Sequence, residues 1–284
     1  VIVADNASTD GTEAICREYV HADPRICYLR NPTNVGSLRN FNLTFGRARG
    51  AYFKWAAHDD LLEPEFLARC LEPLESDPGV VLCHCHTRII DDHGTPIGDY
   101  AYDPGHASDT RPSRRFRDVL AEDRWCFELY GVMRASVLRA TRLLGGHVGA
   151  DRRLLAELAL RGRFATVPDY LFLSRDHAER AVRRFPAHHL RAAFENPALA
   201  GRRVLPHWRI LGEYAQAVRG AGLPAAERAR CYAALVGWLA HHRNWARLAV
   251  DLMIAAAPST APFFLRIAES DRGWLEERVH GRAH

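Results

Sequence analysis

The pattern of apolar and polar positions changes character near residue 186 of the chain. Before that point, short apolar runs alternate with stretches of helical period. Val1 to Ala4 predicts a buried strand at the opening, Asp5 to Gly11 a polar loop, and Thr12 to Val20 a helix with Ala14, Ile15 and Tyr19 on one face. Ile26 to Leu29 predicts a second strand. Leu38, Phe41 and Phe45 mark a helix ending near Gly50, and Ala51 to Ala56 a third strand. From Pro64, the apolar positions Phe66, Leu67, Leu71 and Leu74 predict a helix that kinks or ends early at Pro73.

Val80 to Ile90 predicts a strand, and the turn residues Asp91 to Pro96 a hairpin after it. Ser108 to Arg115 reads as a polar loop, Phe127 to Met133 as a strand, Ala135 to Leu144 as a helix, Asp151 to Arg161 as a helix, and Phe164 to Leu173 as the last strand. Strand–loop–helix alternation implies an α/β fold with a mostly parallel sheet flanked by helices. Beyond residue 186 the period is helical only, through Trp208–Val218, Arg228–His242 and Trp245–Ala256. The expected organisation is an α/β domain over 1–185 and a C-terminal helical extension over 186–284. The extension is expected to pack against the first domain, with a membrane face or a second subunit as the alternatives.

Composition changes this picture little. The 284 residues are 48% hydrophobic and carry a formal charge of +4, room for one large domain with an appendage and no strong demand for a polyanionic partner. Lys54 is the sole lysine in an arginine-rich chain, and no nucleic-acid motif is present. Seven scattered cysteines, an odd number without short-spaced pairs, point to reduced thiols and a cytoplasmic setting. The longest apolar run, Leu248 to Pro258, is interrupted by Asp251 and falls short of the ~18 residues of a spanning helix. At most a peripheral contact at the inner face of a membrane is expected.

Candidate chemistry starts at His58-Asp59-Asp60, where two carboxylates follow an apolar run. At the C-terminal end of a strand in an open sheet such a pair can hold a hard divalent cation and a diphosphate, or it can cap the following helix. A second polar cluster, Asp5, Asn6, Ser8, Thr9 and Asp10, also sits between a strand and a helix. Cys83-His84-Cys85-His86 has the ligand types of a zinc site. Alternation along a strand sends the cysteines and the histidines to opposite faces, so one strand cannot close a tetrahedron with them.

Taken together, Asp5-Asn6-Ala7-Ser8-Thr9-Asp10-Gly11-Thr12, the Asn34-Val35-Gly36…Arg39-Asn40 loop, and His58-Asp59-Asp60 before Leu61-Leu62-Glu63-Pro64 resemble the motifs of family 2 inverting glycosyltransferases, in that order and spacing. The resemblance covers residues 1 to about 180 and implies the nucleotide-binding GT-A (Rossmann-like) fold. It starts at the family's second strand; the usual first strand and helix have no counterpart, which leaves the expected sheet short of a central strand. It implies that Asp5 contacts the nucleobase, that Asn6 and Ser8 shape its loop, that Arg39 meets the donor phosphates, and that Asp59 contacts the ribose or donor sugar. Asp60 and His177 then supply ligands to Mg²⁺ or Mn²⁺, the metal of the D-x-D type motif. Asp151, in Gly149-Ala150-Asp151, matches the family's catalytic base, with Ala150 where a glutamate is usual. Glu128 matches an acidic residue that contacts the acceptor.

The implied activity is metal-assisted transfer, with inversion, of a sugar from a nucleoside-diphosphate donor, UDP-linked, to a hydroxyl. The acceptor stays open among a glycan such as a cell-surface polysaccharide precursor, a lipid carrier and a small molecule, and a homodimer stays open as well. Two alternatives remain at this point: a sugar-phosphate nucleotidyltransferase, and a module that binds nucleotide sugar without turning it over.

Overall fold

The computed structural model describes residues 1–103, 105–121, 125–185, 188–260 and 263. Strand β1 (Ile2–Asp5) leads through α1 (Thr12–Ala22) to β2 (Cys27–Arg30), which pairs with it in parallel. Helix α2 (Ser37–Arg47) follows, then β3 (Tyr52–Phe53), β4 (Leu61–Leu62), α3 (Phe66–Ser76) and the long β5 (Val80–Ile90). Next come β6 (Pro96–Tyr100), α4 (Pro112–Leu120), a 3-10 turn over Phe127–Tyr130, β7 (Val132–Arg134), α5 (Ala135–Arg139), α6 (Ala150–Arg161) and β8 (Arg163–Arg175). Helices α7 (Ala181–Arg184), α8 (His188–Glu195), α9 (Pro206–Gly220), α10 (Ala225–Ala240) and α11 (His242–Ala256) complete the described chain.

The α/β class holds, with strand directions more mixed than alternation alone implies. The larger sheet runs β3-β7-β5-β8-β4, and β6 shares an edge of β5 with β7. Only β5 and β8 are parallel in it; the pairs β3/β7, β5/β7, β5/β6 and β4/β8 are antiparallel. Apolar periodicity is the same for both directions, so the pattern could not choose between them.

Four local expectations are corrected. The strand from Ala51 ends at Phe53, because the chain turns to bury Trp55 (2% exposed), whose Nε1 donates to the Phe41 carbonyl at 2.9 Å. Phe127 to Tyr130 is a helical turn rather than strand, the helix from Ala135 stops at Arg139, and the loop from Ser108 gives way to α4 at Pro112. Ile15 and Tyr19 stay 57% and 60% exposed, and α1 buries no residue: a two-stranded ribbon offers it no second layer. The proline reading fares better, since α3 runs only three residues past Pro73.

Helices of the C-terminal part complete the main core. Ile210, Tyr214 and Val218 of α9 and Cys231 and Leu235 of α10 join Leu154, Leu155 and Leu158 of α6 in one buried cluster. Asp251 of α11 is fully buried and caps α9: its Oδ2 accepts from the His207 and Trp208 N–H groups at 2.8 and 3.3 Å, and its Oδ1 lies 2.9 Å from His207 Nδ1. Replacing it strands donors that α9 cannot pair within itself. Asp251→Ala should cost about 2–4 kcal/mol, read as a lower denaturant midpoint; an unchanged midpoint would mean that α11 does not anchor α9.

Candidate active site

Trp55 sets the starting geometry. Its ring meets those of Phe53 and Phe45 at 5.0 and 6.4 Å, so the chain leaves β3 along a fixed path and bends at His58-Asp59-Asp60. The next residues, Leu61 and Leu62, pair antiparallel with Leu173 and Phe172 of β8. That pairing carries the two aspartates to the end of β8, 115 and more residues away in sequence. Asp60 Oδ1 accepts the Arg175 N–H at 2.9 Å, and His177 Nε2 lies 3.0 Å from Asp59 Oδ2. The Arg175 guanidinium fixes the bend from below, donating to the carbonyls of Asp59 (3.0 Å), Asp91 (2.7 Å) and Asp92 (2.9 Å).

The two carboxylates are driven apart electrostatically. Burial works to raise Asp59, but the hydrogen bond with His177 and the charge of His58 hold it below its ordinary value. Burial raises Asp60 above its ordinary value and the Asp59 charge adds to this, with the Arg175 N–H, Arg180 and Ser174 opposing. The two neighbouring carboxylates are therefore shifted in opposite directions.

Tyr130 shows which residues share this space. Burial pushes its phenol up, the charges of Asp60, Asp59 and Asp151 add to the effect, and Arg180 opposes it. The charges of the strand-end aspartates and of the helix-start aspartate are thus all felt at this one phenol. Asp151 is half-buried in the first turn of α6, its Oδ1 accepting the Arg152 N–H at 2.8 Å. Gly149 precedes it at φ +82°, where a Cβ would also meet Ile210 Cδ1 at 2.6 Å.

The loop after β1 is self-braced. Asp5 is 4% exposed and accepts from the Ser8 N–H (2.7 Å) and the Tyr28 hydroxyl (2.6 Å), with Arg30 Nε 3.4 Å away. Burial works to raise its carboxyl, but these three partners hold it below its ordinary value. Asn6 Oδ1 accepts the Val35 N–H at 2.9 Å and its Nδ2 donates to Asn34 Oδ1 at 2.8 Å, joining this loop to the one before α2. Ser8 is held through its backbone, which also accepts from Arg30 at 2.8 Å. Asp10 caps α1 through Thr12. Arg39 is exposed on α2, beside Asn40, which donates to the Ala4 carbonyl at 2.7 Å.

Glu128 lies apart from the exposed polar loops. It is 1% exposed, and its carboxylate accepts from the Tyr102 hydroxyl at 2.8 Å and lies 2.9 Å from His106 Nε2. It sits in a buried polar knot beside His84 and Thr166, which lie 3.2 Å apart. The Cys-His-Cys-His run divides as alternation requires: Cys83 and Cys85 pack with Cys70 of α3, and His84 turns toward Tyr102 and His106.

Three residues of this region carry no local sequence signal. Arg180 lies over the rings of Trp125 (5.3 Å) and Phe127 (6.0 Å) and donates to Ser174 Oγ at 3.1 Å. Lys54 is held over the Phe66 ring at 5.1 Å; burial lowers its ammonium to about 8, with Asp60 partly opposing. Glu195, at the end of α8, keeps Oε2 buried without a hydrogen-bond partner among the described residues. Burial and the Asp151 charge raise it to about 7. In the window from 4.5 to about 7 the folded chain holds a proton that the unfolded chain has lost, so stability falls as pH rises through it. Glu195→Gln should remove that fall and stabilise the protein above the window by up to about 3 kcal/mol. Melting curves across pH decide this: parallel curves for the two proteins would clear Glu195.

Asp59, Asp60 and His177 suit a hard divalent ion. Among the described residues no three Asp, Glu, His or Cys side chains gather into one ready cluster. A cation here would take one or two carboxylates and draw its other ligands from diphosphate oxygens and water, the arrangement Mg²⁺ prefers.

Residues 1–130 match the glycosyl transferase family 2 profile. The match covers somewhat less than half of the chain. Relatives include an uncharacterized glycosyltransferase of Methanocaldococcus jannaschii, 28% identical over 100 residues (35% of this chain, 34% of that protein). Another is abequosyltransferase RfbV of Salmonella typhimurium, 36% identical over 84 residues (29% of this chain, 25% of that protein). The chain spans about a third of the length of the first curated relatives it matches. The GT-A fold is shared with solved structures. S. aureus TarS 1–349 in complex with UDP-GlcNAc aligns with TM-score 0.59 at 12% identity, covering 90% of this chain and 72% of that one. Mannosyltransferase PcManGT of Pyrobaculum calidifontis, in complex with GDP-Man and Mn²⁺, aligns with TM-score 0.51 at 19% identity, covering 98% and 74%. Among the described residues no helix is long and apolar enough to cross a membrane.

Proposed function

We propose that the chain transfers a sugar from a nucleoside-diphosphate sugar, UDP-linked, to an acceptor hydroxyl with inversion at the anomeric carbon. The observation that carries this reading is the meeting of His58-Asp59-Asp60 with the end of β8, Asp60 on the Arg175 N–H and His177 on Asp59, with the charges of Asp59, Asp60 and Asp151 all felt at Tyr130. Asp151 takes the proton of the attacking hydroxyl, which approaches opposite the leaving group. Asp60 and His177 would supply ligands to Mg²⁺ or Mn²⁺, with diphosphate oxygens and water completing the shell, and Asp59 would contact the ribose or donor sugar; when bound, the ion would neutralise the charge that develops on the departing diphosphate. Arg39 and Arg180 offer guanidinium forks to the phosphates. Asn6 and Ser8 keep the base-binding loop in shape around Asp5. The GDP-Man and Mn²⁺ of one fold neighbour and the UDP-GlcNAc of another support a metal and a nucleotide sugar without choosing the base or the sugar.

The acceptor class is a glycan, a lipid carrier or a small molecule, met by a cytoplasmic protein organised as an α/β domain over 1–185 and a helical extension over 186–284. Product analysis tests the reaction. With UDP-sugars and candidate hydroxyl acceptors, free UDP and a glycoside of inverted anomeric configuration are expected. Formation or use of pyrophosphate would move the protein to the nucleotidyltransferases, and donor binding without product would leave a binding module.

A further inference from the structure

A concave surface outside the candidate active site lies between α4 and α10. It is a cleft of about 740 Å³. Its rim carries Arg111, Arg114, Arg117 and Arg230, and its floor is Leu120, Ala233, Ala234 and Trp238. Asp109 pairs with Arg114 at 3.1 Å and Glu227 with Arg230 at 2.5 Å, so arginines outnumber the carboxylates paired with them. Arg117 is exposed and forms no ion pair among the described residues.

One buried polar group calls for a ligand. Asn244 lines the cleft at 2% exposure; its Nδ2 donates to the Trp238 carbonyl at 2.8 Å, and its Oδ1 is buried with no partner among the described residues. An acceptor left unpaired in that position costs free energy that a ligand hydroxyl can recover. The complement of this cleft therefore has an anionic group for the arginines, a hydroxyl for Asn244 and an apolar segment for the floor.

We propose that the α4/α10 cleft binds an anionic phospholipid of a membrane surface, with its phosphate on the arginine rim, a headgroup hydroxyl toward Asn244 and a chain segment along the apolar floor. The inference does not depend on the transferase reading, and its test needs no activity. Flotation of the full chain is compared on vesicles of phosphatidylcholine alone and of phosphatidylcholine mixed with phosphatidylglycerol. Binding is expected only with the second.

Charge reversal of the rim, Arg111→Glu with Arg117→Glu, should weaken binding at least about 25-fold, roughly fivefold for each arginine near an anionic surface. Charge alone would do the same on any basic patch, so a second variant isolates the cleft. A Cβ at Gly237 meets nothing within 4 Å, and leucine is the better helix former, so Gly237→Leu fills the floor while leaving fold and charge intact. It should lose binding, and Gly237→Ala should keep it. Flotation of Gly237→Leu equal to wild type would overturn the proposal. So would wild type that stays unbound on both vesicles, or a soluble glycerophosphate headgroup that binds as tightly as the lipid.

Discussion

Asp151→Asn should lower kcat by about 10²–10⁴-fold, the range over which one positioned general base acts, and should leave donor affinity nearly unchanged. The carboxylate sits in the first turn of α6, where it accepts the next residue's N–H. Asparagine keeps that acceptor, so folding should be preserved and the loss should fall on the chemical step. Steady-state kinetics with a saturating donor checks this. A raised KM with unchanged kcat would make Asp151 a binding or capping residue and reopen the search for the base, with Glu195 next in line because burial already raises it to about 7.

His177→Ala should shift the Mn²⁺ concentration needed for half-maximal turnover upward by about 10–100-fold. Two effects add. The imidazole is lost as a ligand, and Asp59 loses the hydrogen-bond partner that holds it ionised beside Asp60. Part of the lost turnover should therefore return at high Mn²⁺, which a purely structural role for His177 would not allow. Metal titrations of initial rate for both proteins decide it: curves that superimpose after scaling would remove His177 from the metal site.

Much of this site was legible because its parts lie in short polar segments next to apolar runs. The aspartates at 59 and 60, the loop after β1 and the aspartate opening α6 each stand at a strand or helix end that periodicity locates. What periodicity cannot carry is pairing. The resemblance names His177 as a metal ligand without saying which carboxylate it meets; it stands against Asp59, and the β4/β8 register decides that. Glu128 is a candidate acceptor contact only through the family resemblance; the groups that close on it, Tyr102 and His106, come from a segment more than 20 residues earlier. Gly36 shows the same limit. Its φ of +89° fits a turn glycine, but the carbonyl of Glu195, which a Cβ there would meet at 2.3 Å, lies in the helical part that carried no motif. Arg180 and Lys54 are defined by aromatic rings from other elements, and nothing in their own flanking residues announces that.

Calorimetric titration of UDP, and of GDP in parallel, with and without Mn²⁺, tests the central claim most directly when run on wild type and Asp60→Ala. The account predicts that UDP binds wild type only with Mn²⁺ present and that Asp60→Ala loses this binding while keeping its melting temperature. Binding that ignores Mn²⁺, or that survives in Asp60→Ala, would contradict a metal–diphosphate site at the end of β8.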